Sequence, residues 1–161
     1  MAIAAKVLIF SFFAWATSRG KVLILDQFQR RGHSLENKCF LCLSEVETVD
    51  HLLLHCVKTR VLWNLLFSLF GVAWILSYSV KETLLGWHGA FLGKARKKAW
   101  QMVPLCIFWS VWKERNLLAF GNDELSLQRL KNSFVCNLWV RVSTVLSPSS
   151  LVSFFDWLGS K

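Results

Sequence analysis

The stretch "CFLCLSEVETVDHLLLHC", residues 39–56, holds three of the five cysteines and two of the four histidines of this 161-residue chain. Its ligand-type residues follow the spacing C-x2-C-x8-H-x4-C. A tight turn around C-x2-C presents two thiolates to one ion, and three sulfur ligands with one nitrogen suit tetrahedral Zn²⁺. The stretch therefore predicts one zinc ion per chain, with Cys39, Cys42, His51 and Cys56 as one candidate ligand set.

Local geometry does not decide which residue is the fourth ligand. Apolar residues at helical spacing predict a helix from an N-cap at Thr48 to Gly71. On an α-helix Cys56 is rotated ~140° from His51, so both reach one ion only if the helix bends or ends near Cys56. His55 shares a face with His51 and is the rival ligand. In either set four protein ligands leave no position for water, which indicates a structural rather than a catalytic zinc ion.

The composition combines an apolar chain with a basic charge. Hydrophobic residues make up 54% and charged residues 18%, against about 25% charged in ordinary globular chains. This predicts large apolar side chains on the surface. The net charge is +9, with a dense basic run, "GKARKKAW", at 93–100. Such an excess favours polyanionic partners, above all nucleic acid.

Hydrophobic periodicity predicts a mostly α-helical fold: a small helical domain with a zinc-ordered turn, followed by a helical C-terminal extension. We expect long helices at about 94–118 and 124–146, and a domain boundary after Phe70 that divides the chain into 1–72 and 73–161. The apolar residues 1–17 imitate a signal peptide but are interpreted as a structural helix. They are too short to span a membrane, so we expect an intracellular protein without a membrane partner.

Motifs for catalysis are missing from the sequence. It has no glycine-rich phosphate loop, no nucleophile elbow and no cluster of carboxylates that would bind catalytic metals. We therefore expect a non-enzymatic protein without a small-molecule substrate.

Several motifs together resemble one known family. They are "FFAW" at 12–15, "LDQFQRRG" at 25–32, "CFLC" at 39–42, "ETVDHLLLHC" at 47–56 and "RVLW" at 60–63. In this order they resemble the zinc-binding domain that follows the reverse transcriptase in plant LINE-type retrotransposons. Downstream, "FWSVWKERNLLAF" at 108–120 resembles the helix that commonly comes after this domain. The resemblance implies His51 and Cys56 as zinc ligands, with His55 as a bystander.

The resemblance also implies a function. It suggests a non-catalytic structural zinc module of a retrotransposon polyprotein, nuclear or cytoplasmic, that assists the engagement of RNA or single-stranded DNA. The basic residues expected to contact nucleic acid are Arg30, Arg31, Lys94, Arg96, Lys97 and Lys98. The alternatives are a module that docks on a reverse transcriptase core or another protein, and a retroelement remnant without function.

Overall fold

The computed structural model describes residues 12–13, 15–17, 19, 21–22, 32, 37–88, 92–121, 124–149, 152 and 156. In this part of the chain the helices with defined bounds are a π-helix, His51–His55, and four α-helices after it; residues 12–13, 15–17, 152 and 156 are also helical, and no strand occurs. The α-helices are α1 (Val57–Phe70), α2 (Val80–Gly86), α3 (Lys94–Phe120) and α4 (Leu127–Val145). The prediction of a mostly helical fold is therefore confirmed.

The helix predicted from Thr48 to Gly71 is present but interrupted. Its start is capped as expected, since the Thr48 hydroxyl oxygen accepts the backbone N–H of His51 at 3.0 Å. Its end is also as expected, because Gly71 adopts a left-handed φ of 63° and its N–H bonds back to the last turn of α1. The interruption is at Cys56, whose backbone is extended between the π-helix and α1.

The two long helices α3 and α4 pack against each other along their lengths. The Arg129 guanidinium of α4 bonds the buried Glu114 carboxylate of α3 at 2.6 Å. Further along, the Asn137 side-chain amide donates to the Ser110 hydroxyl at 2.8 Å. Ser126 caps α4 by accepting the backbone N–H of Arg129 at 3.2 Å. The contacts of Arg129 with Glu114 and of Asn137 with Ser110 fix how α4 lies on α3.

Aromatic rings fill the core where α1 meets α3. The buried Trp63 of α1 lies edge-on to Phe108 of α3, with ring centroids 6.1 Å apart, and to Trp87 after α2, at 5.5 Å. Trp87 also stacks on Trp100 of α3 at 4.3 Å and 9°. This core draws on residues from both sides of the predicted boundary at 72/73, and the boundary itself stays a prediction.

Pro104 lies inside α3 and creates a gap in its hydrogen bonding. Proline has no N–H, so the carbonyl of Trp100, four residues earlier, lacks its helical donor. The indole N–H of Trp87 donates to this carbonyl at 2.7 Å. Trp87 therefore supplies the hydrogen bond that Pro104 cannot, and its ring stacks on Trp100, the residue whose carbonyl lacks a helical donor.

The described surface carries large apolar side chains, as the composition predicts. The most exposed are Ile75 at 93%, Tyr78 at 85% and Phe120 at 79%. Within the described residues, none of the helices has the length and apolar character needed to cross a bilayer.

Replacement of Trp87 by Phe tests the role of the indole. The change keeps most of the aromatic packing but leaves the buried Trp100 carbonyl without a donor, so we expect a loss of ~1–3 kcal/mol in the free energy of unfolding. Denaturant unfolding followed by circular dichroism measures it. Tyr78→Phe, at an exposed position, serves as the control and should change stability by less than ~0.5 kcal/mol.

A second background makes this test specific. Pro104→Ala gives the Trp100 carbonyl a helical donor, so Trp87→Phe should cost less in that background than in the original protein. An equal cost in both backgrounds would show that the indole hydrogen bond does not compensate for the proline.

Candidate metal centre

The C-x2-C segment is folded into a closed turn by backbone hydrogen bonds. The Leu43 N–H donates to the Cys39 carbonyl at 2.8 Å, and the Cys39 N–H donates to the Glu45 carbonyl at 2.8 Å. Leu43 takes a left-handed φ of 57°, which turns the chain back on itself after Cys42. The turn places Cys42 beside His51, at the start of the π-helix, and Cys39 beside Cys56, just after its end.

The π-helix brings His51 and Cys56 to the same side of the chain. The Cys56 N–H bonds the His51 carbonyl at 2.6 Å, which is the i→i+5 pattern of a π-turn. This wider winding, with the extended backbone of Cys56, removes the rotation that an α-helix would place between the two residues. The sequence pattern had required a bend or an end near Cys56, and the structure has one.

Four ligand-type side chains converge as a result. One potential ligand atom from each of Cys39, Cys42, His51 and Cys56 lies within 4.8 Å of the other three. The Cys39 and Cys56 sulfurs are 3.9 Å apart, and the Cys42 sulfur is 3.4 Å from His51 Nε2. Tetrahedral Zn²⁺ with ordinary bond lengths places two sulfurs ~3.8 Å apart, and a sulfur and a nitrogen ~3.6 Å apart. The donor set and its spacing are therefore compatible with a zinc ion.

His55, the rival ligand, points elsewhere. Its Nε2 lies 2.9 Å from the backbone carbonyl of Tyr78, and its ring packs near the Tyr78 ring at 6.1 Å. The side chain is exposed and is not part of the group of four. The structure brings together the set with His51 and Cys56.

The environment of the three thiols favours deprotonation of Cys42 and Cys56 and disfavours that of Cys39. The buried Cys39 thiol donates a hydrogen bond to the Cys56 sulfur, which raises the pKa of Cys39 and lowers the pKa of Cys56 to about 6. Burial raises the pKa of Cys42, but hydrogen bonds from its neighbours, led by the Ser44 side chain, outweigh it and lower this pKa overall. A divalent cation that replaces the shared proton suits such a group of thiols.

Side chains of α1 bond the carbonyls at the end of the π-helix. Carbonyls in the last turn of a helix lack intrahelical partners. The Thr59 hydroxyl donates to the Leu52 carbonyl at 2.7 Å, and the Trp63 indole N–H donates to the Leu53 carbonyl at 3.0 Å. These bonds stabilise the break that places Cys56 beside His51.

A buried ion pair connects the segment from Cys39 to Glu47, here called the cysteine turn, to α3. Sequence reasoning missed this pair. Glu47 Oε1 accepts from Arg115 Nη2 at 2.7 Å and from Arg115 Nε at 3.1 Å. The two side chains are 0% and 2% exposed. In the sequence, Glu47 begins the motif "ETVDHLLLHC" and Arg115 lies in "FWSVWKERNLLAF". Neither motif shows that these two residues meet.

The basic residues predicted to contact nucleic acid have different settings. Lys94, Lys97 and Lys98 are exposed in the first turns of α3, and Arg96 is half-buried. Arg30 and Arg31 lie outside the described residues.

Comparison with known proteins adds one finding. Residues 4–63 match the model of a family described as zinc-binding in reverse transcriptase. This range contains all four residues of the cluster and ends at Trp63. It is a match to a zinc-binding domain and not to a catalytic one. No curated protein and no solved structure matches the chain.

Replacement of Thr59 by Val tests the polar support of the break. Valine keeps the shape but cannot donate to the Leu52 carbonyl, so we expect a loss of ~1–3 kcal/mol in the free energy of unfolding, measured with denaturant. Thr144→Val is the matched control, because the exposed Thr144 hydroxyl bonds the Arg141 carbonyl at 2.8 Å. Equal losses in the two variants would contradict a special role for Thr59.

Proposed function

We propose that residues 4–63, which match a family described as zinc-binding in reverse transcriptase, form a zinc-binding domain that holds one structural Zn²⁺ through Cys39, Cys42, His51 and Cys56. The observation that carries this proposal is the convergence of the four ligand atoms to within 4.8 Å of one another. Three sulfurs and one imidazole nitrogen form a complete tetrahedral set, which has no position left for water or substrate. The module is therefore proposed to act without catalysis.

The proposed role of the ion is to cross-link two parts of the chain. When bound, zinc supplies four strong bonds that link the turn at 39–42 to the π-helix. The chain itself supplies the rest of the positioning. The Thr48 cap orients the first turn of the helix that carries His51, and the bonds from Thr59 and Trp63 hold the break at Cys56. The ion would stabilise the folded turn relative to the unfolded chain.

Elemental analysis of the purified protein tests the zinc proposal. We expect about one zinc per chain in the original protein, and loss of the zinc in a Cys39→Ser, Cys42→Ser double variant and in His51→Ala, because each change removes proposed ligands. A zinc-free original protein, purified in the presence of zinc, would contradict the proposal.

Two control variants separate ligands from bystanders. His55→Ala should keep its zinc, because His55 bonds the Tyr78 carbonyl outside the cluster. Cys136→Ser should also keep it, because Cys136 is an exposed cysteine of α4. Zinc loss in His55→Ala together with retention in Cys56→Ser would instead favour the ligand set with His51 and His55.

We further propose that the chain, as part of a plant LINE-type retrotransposon polyprotein, uses α3 to engage RNA or single-stranded DNA. The support is the net charge of +9 and the position of Lys94, Lys97 and Lys98 at the exposed start of α3. Cations at a helix N-terminus are unfavourable for the helix dipole, and α3 has no acidic residue in its first turn. Helix stability therefore does not explain this basic run, whereas an anionic partner does.

Charge-neutralising variants test the nucleic-acid proposal. Lys94→Gln, Lys97→Gln and Lys98→Gln together should weaken binding to single-stranded oligonucleotides and lower the dependence of log K on log salt, since fewer counterions are released. Fluorescence anisotropy across a salt series measures both quantities.

The control for this test removes the same charge elsewhere. Lys81→Gln, Lys113→Gln and Lys131→Gln also lower the net charge by three, but these residues lie on α2, in the second half of α3 and on α4, outside the basic run at 93–100. A similar loss of oligonucleotide affinity in both triple variants would indicate that the overall positive charge, and not the start of α3, drives binding. Absence of binding at low salt in the original protein would favour docking on a protein partner instead.

A further inference from the structure

Arg115 of α3 contacts the cysteine turn at two points. Its guanidinium bonds Glu47 through two of its nitrogens, and it lies 5.0 Å from the centre of the Phe40 ring, within cation–π distance. Phe40 comes between the two cysteines of the C-x2-C pair. Arg115 is 52 residues beyond the end of the matched range 4–63, since 115 minus 63 is 52.

Glu47 transmits this contact to the backbone of the turn. Its second carboxylate oxygen, Oε2, accepts the Phe40 N–H at 3.3 Å, directly after Cys39. Its own backbone N–H donates to the Asn37 side-chain oxygen at 3.1 Å, just before Cys39. One residue therefore bonds the chain on both sides of Cys39 while its other oxygen is held by Arg115.

Burial makes the turn dependent on the arginine. A fully buried carboxylate without a partner is strongly unfavourable, so Glu47 keeps its inward position only while a cation faces it. If Glu47 moved out to solvent, the Phe40 N–H would lose its acceptor and the Cys39 side of the turn would be released. The planar guanidinium suits this place because it bonds a carboxylate oxygen through two nitrogens while it covers an aromatic ring.

We propose that Arg115 is a positioning residue for the zinc site: through Glu47 and Phe40 it holds the C-x2-C turn in its metal-binding shape, so that zinc binding and the docking of α3 stabilise each other. The proposal rests on the proposed zinc function. It makes the metal site dependent on a helix that lies outside the family-matched segment. Groups behind the ligands of a metal commonly contribute ~10–100-fold to its affinity.

Zinc affinity of full-length variants tests the proposal, with zinc alone as the probe and a chromophoric chelator as competitor. Arg115→Met removes both the charge and the paired hydrogen bonds to Glu47, whereas Arg115→Lys keeps the charge and is the more conservative change. We expect the zinc dissociation constant to rise ~10–100-fold in Arg115→Met and by a smaller factor in Arg115→Lys.

The matched control is Glu114→Gln. Glu114 is the preceding residue of α3, is buried and forms an ion pair with Arg129 of α4, so its loss weakens the fold without touching the cysteine turn. Its zinc dissociation constant should stay within ~3-fold of the original. The rise in melting temperature on zinc addition should likewise shrink in the Arg115 variants and persist in Glu114→Gln.

The outcomes separate the two proposals. If the original protein binds no zinc, the zinc function itself fails. If the original binds zinc and both Arg115 variants bind it equally well, or if Glu114→Gln weakens it as much as they do, Arg115 has only a general structural role and the inference is overturned.

Discussion

The buried ion pair between Glu47 and Arg115 is the interaction on which the arrangement of this chain depends. It joins residues 68 positions apart and places the cysteine turn against α3. The neighbouring residue of α3, Glu114, forms the ion pair to α4. Two consecutive residues of α3 thus connect it to the segment that carries Glu47 and to α4. Removing one member of a buried pair typically costs ~3–5 kcal/mol, because a charge is left without a partner in the interior.

The composition of the candidate site was predictable from the sequence, whereas its geometry was not. The spacing of residues 39–56 contained the four residues that the structure brings together. It left Cys56 and His55 as rivals, because an α-helix was the default interpretation of the Leu52–Leu54 run. The π-turn became apparent only in three dimensions, where side chains of α1 bond the carbonyls that the break exposes. Residues within the run itself carry no signal for that winding.

The long helices were predictable for a similar reason, and the contacts between them were not. Periodic apolar residues predicted α3 and α4 to within a few residues, and predicted a single helix from Thr48 to Gly71 where the structure has the π-helix followed by α1. The seven-residue α2 was too short for a periodic signal. The Trp87 indole donates to the carbonyl of Trp100, 13 positions further along the chain, and so replaces the hydrogen bond that Pro104 lacks. Such pairings depend on the tertiary fold, which a local pattern does not contain.

Zinc, the ion pair and the aromatic core act on the same small region from three sides. The ion would link the turn to the π-helix, Arg115 holds the turn against α3, and Trp63 connects the break to the core. The central claim is the ligand set of the ion, and X-ray absorption at the zinc edge of the purified protein measures it most directly. The account predicts three sulfurs at ~2.3 Å and one nitrogen at ~2.0–2.1 Å from the metal. A shell with two sulfurs and two nitrogens, or with oxygen and nitrogen alone, would contradict it.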